Sequence, residues 1–314
     1  MELTIWILVF VIALGILVKS SDWLLQSSSK VGFALGLSPF VVGVIIVGMG
    51  TSLPELVSSF AALFSGLPEV PVANAIGSNI ANILLVVGAA SIFGGSLSVT
   101  KSLIDLDLPL LLAGTALFIG VVADKVVTLP EAVILLVGYV IYLLYTLTHK
   151  ENEGIDDGKA HPPRPKIKAM DVTYLVVGVA GLAVGSRYLI SAVIEISEML
   201  NIATGVIAIS AIAIGTSLPE LLVSVKAAIK GQSEVALGNI FGSNMFNILV
   251  VVGLPGLFGV LVLDPKTFAI GIPTLITATL LFVISGIPKK IYVWEGAFYL
   301  LIYVLFMGKL FGLV

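Results

Sequence analysis

The sequence predicts an all-α polytopic membrane protein, with ten transmembrane helices arranged as two inverted five-helix repeats. Three observations carry that expectation. The 314-residue chain is 58% hydrophobic and only 11% charged, whereas soluble domains run near 45–50% apolar and about 25% charged. Its apolar residues fall in long runs such as Thr4–Val18, Leu108–Ala123 and Val133–Leu147. Finally, a stretch of the first half recurs, polar residues included, in the second.

At about 20 residues per spanning helix, spans are expected at 3–25, 38–65, 70–94, 105–124, 128–148, 171–192, 203–229, 234–262, 267–286 and 291–313. The polar stretch His149–Ala169 is too charged and too rich in proline to lie in a membrane. It divides the chain into a first five-helix repeat (1–148), a linker (149–170) and a second repeat (171–314). The absence of cysteine excludes a disulfide framework and thiolate metal sites. Met1–Val18 lacks the basic start and small-residue cleavage site of a removable signal.

Lysine and arginine accumulate in cytoplasmic loops. One set of loops holds Lys30, Lys101, Lys150, Lys159, Arg164, Lys166, Lys168, Lys226, Lys230, Lys289 and Lys290; the other holds Lys125, Lys266 and Lys309. Lys19 and Arg187 fall within or at the edges of spans. The bias puts the linker in the cytoplasm and both termini outside, in a plasma membrane.

A shift of 165 residues aligns Gly50–Gly88 with Gly215–Gly253 without a gap, with 22 of 39 positions identical. GTSLPEL at Gly50–Leu56 recurs at Gly215–Leu221, and N-x-x-G-S-N-x-x-N-I-L at Asn74–Leu84 recurs at Asn239–Leu249. Two similar greasy helices would share leucines but not these polar residues. Five spans per half, an odd number, place the copies upside down relative to each other. Inverted repeats with interrupted helices point to a secondary transporter with its site near the midplane.

Glu55 and Glu220 lie deep in apolar sequence, where a charge costs at least ~2.5–3.5 kcal/mol on insertion scales. No lysine or arginine lies at comparable depth in the repeats, so their natural counterion is a soluble cation. The competing reading is a pair of protonated, structural glutamic acids. Pro54 and Pro219 lack the amide hydrogens that the carbonyls of Gly50 and Gly215 would need, so a helix break that turns carbonyl oxygens inward is expected. Thr51 and Ser52 stand four and three residues before Glu55, where their hydroxyls can face it; Thr216 and Ser217 do the same for Glu220. Asn74, Ser78 and Asn82 form a polar stripe, matched by Asn239, Ser243 and Asn247. Polar residues gluing helices together is the alternative reading of that stripe, and it weighs most for Asn74, Asn79, Asn239 and Asn244. The donors are all oxygen, the two histidines, His149 and His161, being in the linker. Such a set suits sodium, calcium, magnesium or manganese, and magnesium, with its strict octahedron, suits it least.

These paired motifs closely resemble the sodium/calcium exchangers of the calcium/cation antiporter superfamily, in a compact form without a large cytoplasmic regulatory domain. The resemblance covers essentially the whole chain. It implies exchange of Ca2+ for Na+ by alternating access, with the first spans of the two halves sliding against the rest. Glu55 and Glu220 would be shared central ligands with Thr51 and Thr216 beside them. Ser52, Ser217, Ser78, Ser243 and carbonyls near Gly48 and Ala213 would complete flanking sodium sites, and Asn82 and Asn247 would close the middle. Studied members often carry aspartate where this chain has Asn247, which argues against potassium dependence. Asn79 and Asn244 stand where proton/calcium exchangers tend to place a further glutamate, which favours sodium. The alternatives are a proton-coupled calcium or broader divalent-cation antiporter, and a cation channel. An intramembrane enzyme is not expected, since the spans hold no histidine or cysteine. The expected partners are membrane lipid and the transported cations (Ca2+ and Na+, with H+ the alternative), with no cofactor and no nucleic acid; the oligomeric state stays open.

Overall fold

The computed structural model describes residues 2–98, 107–148, 166–199 and 217–313. Its helices, in chain order, are α1 (Glu2–Leu35), α2 (Pro39–Phe64), α3 (Val70–Phe93), α4 (Leu108–Val121), α5 (Leu129–Thr148), α6 (Ala169–Met199), α7 (Leu218–Ile229), α8 (Ser233–Gly256), α9 (Thr267–Gly286) and α10 (Val293–Leu310). Eight of them are long and apolar enough to cross a membrane, and α4 and α7 are shorter. The expected span at 203–229 lies partly outside the described residues, as does most of the linker at 149–170.

Two boundaries differ from the hydropathy reading. α1 runs ten residues past its expected end at 25, through Ser27, Ser28, Ser29 and Lys30. The serines do not break the helix because Ser28 and Ser29 return their hydroxyls to the carbonyl of Leu25, which satisfies them without leaving helical geometry. α6 runs to Met199 rather than 192. These two long helices cross through small residues: a Cβ at Gly178, Gly181 or Gly185 would meet Leu24, Ser20 or Leu17 of α1.

α8 is buried from Val235 to Gly253. It presses closely on α2, where a Cβ on Gly242 would stand 2.3 Å from the carbonyl oxygen of Val44, and one on Gly48 would stand 2.9 Å from the amide of Ser243. Only glycine allows this approach of two backbones.

Among the described residues four short strands, absent from the hydropathy pattern, tie the loops together. β1 (Ser96–Ser98) pairs antiparallel with β4 (Lys290–Tyr292), and β2 (Val126–Val127) pairs with β3 (Leu261–Val262). The 165-residue shift carries β1 onto β3 and β2 onto β4, so each pair joins one half of the chain to the other. β1 and β4 belong to the lysine-rich loops, β2 and β3 to the opposite set. α2 and α7 end alike, on Gly66 (φ 80°) and Gly231 (φ 72°). The amide of the following residue reaches back to Ala62 in one and Ala227 in the other, the geometry of a left-handed C-cap.

Candidate cation site

The centre of the bundle is built where regular helix fails. Wide, π-type turns occupy Val42–Gly48 in α2, Ala81–Val87 in α3 and Asn247–Val251 in α8; such turns often accompany functional sites. α2 then breaks at Ser52 (φ −92°, ψ 3°), and a new helical segment, Leu53–Phe64, starts with Pro54 in its first turn. Ser217 (φ −91°, ψ 9°) and Pro219 open α7 in the same way. The proline-driven break expected from the sequence is present. Each glutamate therefore sits in the first turn of a helical segment, where the positive end of the helix dipole favours a carboxylate.

Glu55 is 1% exposed and Glu220 is 0% exposed. The Ser52 hydroxyl donates to Glu220 Oε1 at 2.9 Å, and the Ser243 hydroxyl reaches the same oxygen at 3.4 Å. Thr51 Oγ1 donates to Asn239 Oδ1 at 3.1 Å and lies 3.3 Å from Ser243 Oγ. The carbonyl that meets these side chains is that of Gly48, which accepts from Ser243 Oγ at 3.2 Å and from Thr51 Oγ1 at 3.3 Å. Thus α2, α7 and α8 converge on Glu220, at a carbonyl two residues before that of Gly50.

The repeated motifs also carry buried polar atoms with no hydrogen-bond partner among the described residues. They include both carboxylate oxygens of Glu55, Oε2 of Glu220, the hydroxyls of Ser78 and Ser217, and the amides of Asn82 and Asn247. Buried polar groups are ordinarily paired, and those left over need a physical reason. Oxygens from two carboxylates, two hydroxyls and two amides, drawn from α2, α3, α7 and α8, make an environment that can exchange a hard cation's water for protein ligands. Among the described residues no cluster of three acidic or histidine side chains is present; the two carboxylates are accompanied by neutral oxygens.

The flanking asparagines divide. Asn74 Nδ2 donates to the backbone carbonyl of Glu55 (3.3 Å) and to Ser59 Oγ (3.2 Å), while Asn239 Nδ2 donates to the carbonyl of Glu220 (3.4 Å) and to Ser224 Oγ (2.8 Å). Both brace the glutamate-bearing segments from the next helix. Asn79 Nδ2 donates to the carbonyl of Asn244 at 3.0 Å, stitching α3 to α8. These three side chains each join two helices, as the helix-gluing reading expects, whereas the side-chain amide of Asn244 has no hydrogen-bond partner among the described residues. Thr216 and Ala213 lie outside the described residues.

A cleft of about 680 Å³ between α2 and α6 reaches Glu55, lined among others by Pro54, Ser58, Ala61, Val179, Ala183 and Arg187. It runs along the part of α2 that leads to the loop at 65–69, whose Pro68 carbonyl accepts from the amide of Val262 in β3. That loop belongs to the lysine-poor set. Arg187 in this cleft was not among the residues singled out by motif, because nothing in its local sequence marks it.

The fold is that of a multi-pass membrane protein, and the comparisons place it among transporters. The sodium/calcium exchanger protein family model matches residues 5–148 and 170–311. CaxA of Alkalimonas amylolytica is 33% identical over 320 residues, covering 98% of each chain. The sodium/calcium exchanger MaX1 of Methanosarcina acetivorans is 31% identical over 351 residues, covering 98% of this chain and 99% of its own. Structures of the sodium-calcium exchanger NCX_Mj superpose with a TM-score of 0.80 at 29% identity, covering 96% of this chain and 98% of that one. The chain belongs to the sodium/calcium exchanger family; it is a cation antiporter, not an enzyme.

Proposed function

We propose that the protein is a secondary-active antiporter that exchanges Ca2+ for Na+ across the plasma membrane by alternating access at one central site. The observation that carries this reading is the burial of Glu55 and Glu220, tied together by Ser52, which stands three residues before Glu55 and donates to Glu220, in motifs that also hold unpartnered hydroxyl and amide oxygens. Two carboxylates neutralise one Ca2+, or share sodium ions, so either cargo relieves the cost of two buried charges. Ca2+ takes six to eight oxygens in flexible geometry, which suits ligands drawn from four helices.

In this reading Glu55 and Glu220 are held in common by both cargo ions, with Thr51 and Thr216 beside them. Ser52, Ser217, Ser78, Ser243 and the carbonyls near Gly48 and Ala213 serve the sodium ions, and Asn82 and Asn247 close the centre. The 165-residue correspondence of β1 with β3 and β2 with β4 supports two inverted repeats, 1–148 and 171–314, about the linker at 149–170. The lysine bias supports a cytoplasmic linker and external termini. The cleft to Glu55 then opens outward, and the glycine-lined crossing of α1 and α6 offers a surface smooth enough to slide. Asn79 and Asn244 are neutral, so these positions add no further carboxylate for proton coupling.

The test is Ca2+ uptake into proteoliposomes under imposed gradients. Uptake is expected when internal Na+ exceeds external Na+ and not when a proton gradient replaces it. Uptake driven by protons and indifferent to sodium would replace this reading with the proton-coupled one.

A further inference from the structure

Asp22 lies inside α1, and its carboxylate meets Lys226 of α7 and Lys230 just past the end of that helix: Lys226 Nζ stands 3.0 Å from Oδ2 and Lys230 Nζ 3.0 Å from Oδ1. Lys226 Nζ also donates to the backbone carbonyl of Val18. The three charged groups are only partly exposed, at 32%, 19% and 42% of the side chain. They clamp the end of α7 to the middle of α1.

The 165-residue shift carries Asp22 onto Arg187, Lys226 onto Ala61 and Lys230 onto Ser65. Arg187 and Ala61 line the cleft that reaches Glu55. The two equivalent surfaces thus differ in state: on the α2–α6 side they stand apart, and on the α7–α1 side they are closed. Ser58 lines the open cleft, while its counterpart Val223 is 0% exposed. They also differ in chemistry, for Ala61 and Ser65 carry no charge to pair with Arg187.

We propose that Asp22, Lys226 and Lys230 form an ionic latch that holds the linker-side passage to Glu220 shut. The proposal rests on the alternating-access reading above. Because the repeat places no equivalent latch at Arg187, the ion-free protein rests with the Glu55 cleft open, and each cycle must break the latch to release cargo on the linker side. Partly exposed ion pairs are individually weak, roughly 0–1 kcal/mol each, which suits a gate that opens in every turnover.

The chain contains no cysteine, so a single introduced thiol can be read without background. The experiment follows the reaction of an impermeant maleimide with purified protein carrying Val223→Cys, and separately with protein carrying Ser58→Cys. Adding Asp22→Asn to Val223→Cys is expected to raise its rate roughly fivefold, the equivalent of about 1 kcal/mol, while leaving the Ser58→Cys reaction close to its parent rate. Lys226→Gln with Lys230→Gln should do the same, with no further gain when combined with Asp22→Asn; Asp22→Glu should keep the slow rate. Unchanged reactivity of Val223→Cys in both charge-removed backgrounds would overturn the latch. A rise at both thiol positions, the mark of general loosening, would overturn it too, as would fast reaction with Asp22→Glu. The readout needs no transport, so a parent protein that fails to exchange Na+ for Ca2+ would sink the transport reading while leaving the latch result to stand on its own.

Discussion

Ser52 donates its hydroxyl to Glu220 across the centre of the protein at 2.9 Å, whereas Ser217, its counterpart 165 residues on, has no partner for its hydroxyl among the described residues. The two glutamates are therefore not equivalent in this state. Glu220 is enclosed by donors from α2 and α8; Glu55 faces the cleft with both oxygens unpartnered. Removing a hydrogen bond to a charged group costs about 1.5–3 kcal/mol. Ser52→Ala is thus expected to lower the thermal stability of the ion-free protein, and Ser217→Ala to leave it nearly unchanged. Both substitutions should weaken Ca2+ binding. Melting curves in detergent with and without Ca2+ separate the two effects; equal destabilisation of the ion-free protein would contradict the asymmetry.

Glu55→Gln and Glu220→Gln keep shape and remove charge. Each is expected to abolish Ca2+ uptake while leaving a folded, monodisperse protein. A ligand present at 100 times its Kd stabilises the folded state by about 2.7 kcal/mol, so Ca2+ should raise the melting temperature of the parent and not of either variant. Transport at the parent rate by either variant would remove the carboxylates from the site.

Asn247 contributes two unpartnered amide atoms at the centre. Asn247→Asp would place a third carboxylate beside the other two, and burial together with like charge would hold its proton. The exchange rate is then expected to acquire a steeper pH dependence, with little change in thermal stability. An unchanged pH profile would assign Asn247 to packing alone.

Gly242→Ala tests the crossing that positions Gly48. Its added methyl would sit 2.3 Å from the carbonyl oxygen of Val44, a distance that forces α2 from α8. Overpacking of this kind costs typically about 1–3 kcal/mol. The variant should melt earlier and lose Ca2+ affinity together, since the Ser243 bond to Gly48 depends on the same approach. Unaltered melting would show the crossing to be compliant.

Asp264 lies in the loop before α9, and its Oδ1 accepts from the amides of Lys266 (3.0 Å) and Thr267 (2.9 Å). Partial burial opposes ionisation, but the hydrogen bonds from Thr267 and Lys266 outweigh it and hold the carboxyl below the usual aspartate range. A carboxylate with a depressed folded-state pKa adds stability above its unfolded value and loses it as pH falls through the folded one. Asp264→Asn should therefore lower the melting temperature at neutral pH and narrow its difference from the parent in strong acid. A constant difference across pH would contradict the role of charge at this cap.

The parts legible in the sequence were those written in residue identity. Glu55 and Glu220 stood out because a charge in apolar sequence is costly, and the repeated GTSLPEL motif predicted the break that Ser52 and Pro54 make. The helix ends were less legible: α1 continues to Leu35 because Ser28 and Ser29 satisfy themselves on the backbone, which hydropathy does not register. Nothing in the local sequence marks Asp22, since its lysine partners lie more than 200 residues away and only the packing of α7 on α1 unites them. β1 through β4 are two or three residues each, too short for alternation to show. The π-type turns carry no signal in periodicity over so few residues.

A calorimetric titration of Ca2+ into purified protein at several Na+ concentrations, at constant ionic strength, addresses the central claim most directly. If Glu55 and Glu220 serve both cargo ions, Na+ must weaken Ca2+ binding competitively, and the effect must vanish with the binding itself in Glu55→Gln and Glu220→Gln. Ca2+ affinity that stays constant as Na+ replaces an inert cation would contradict a shared site.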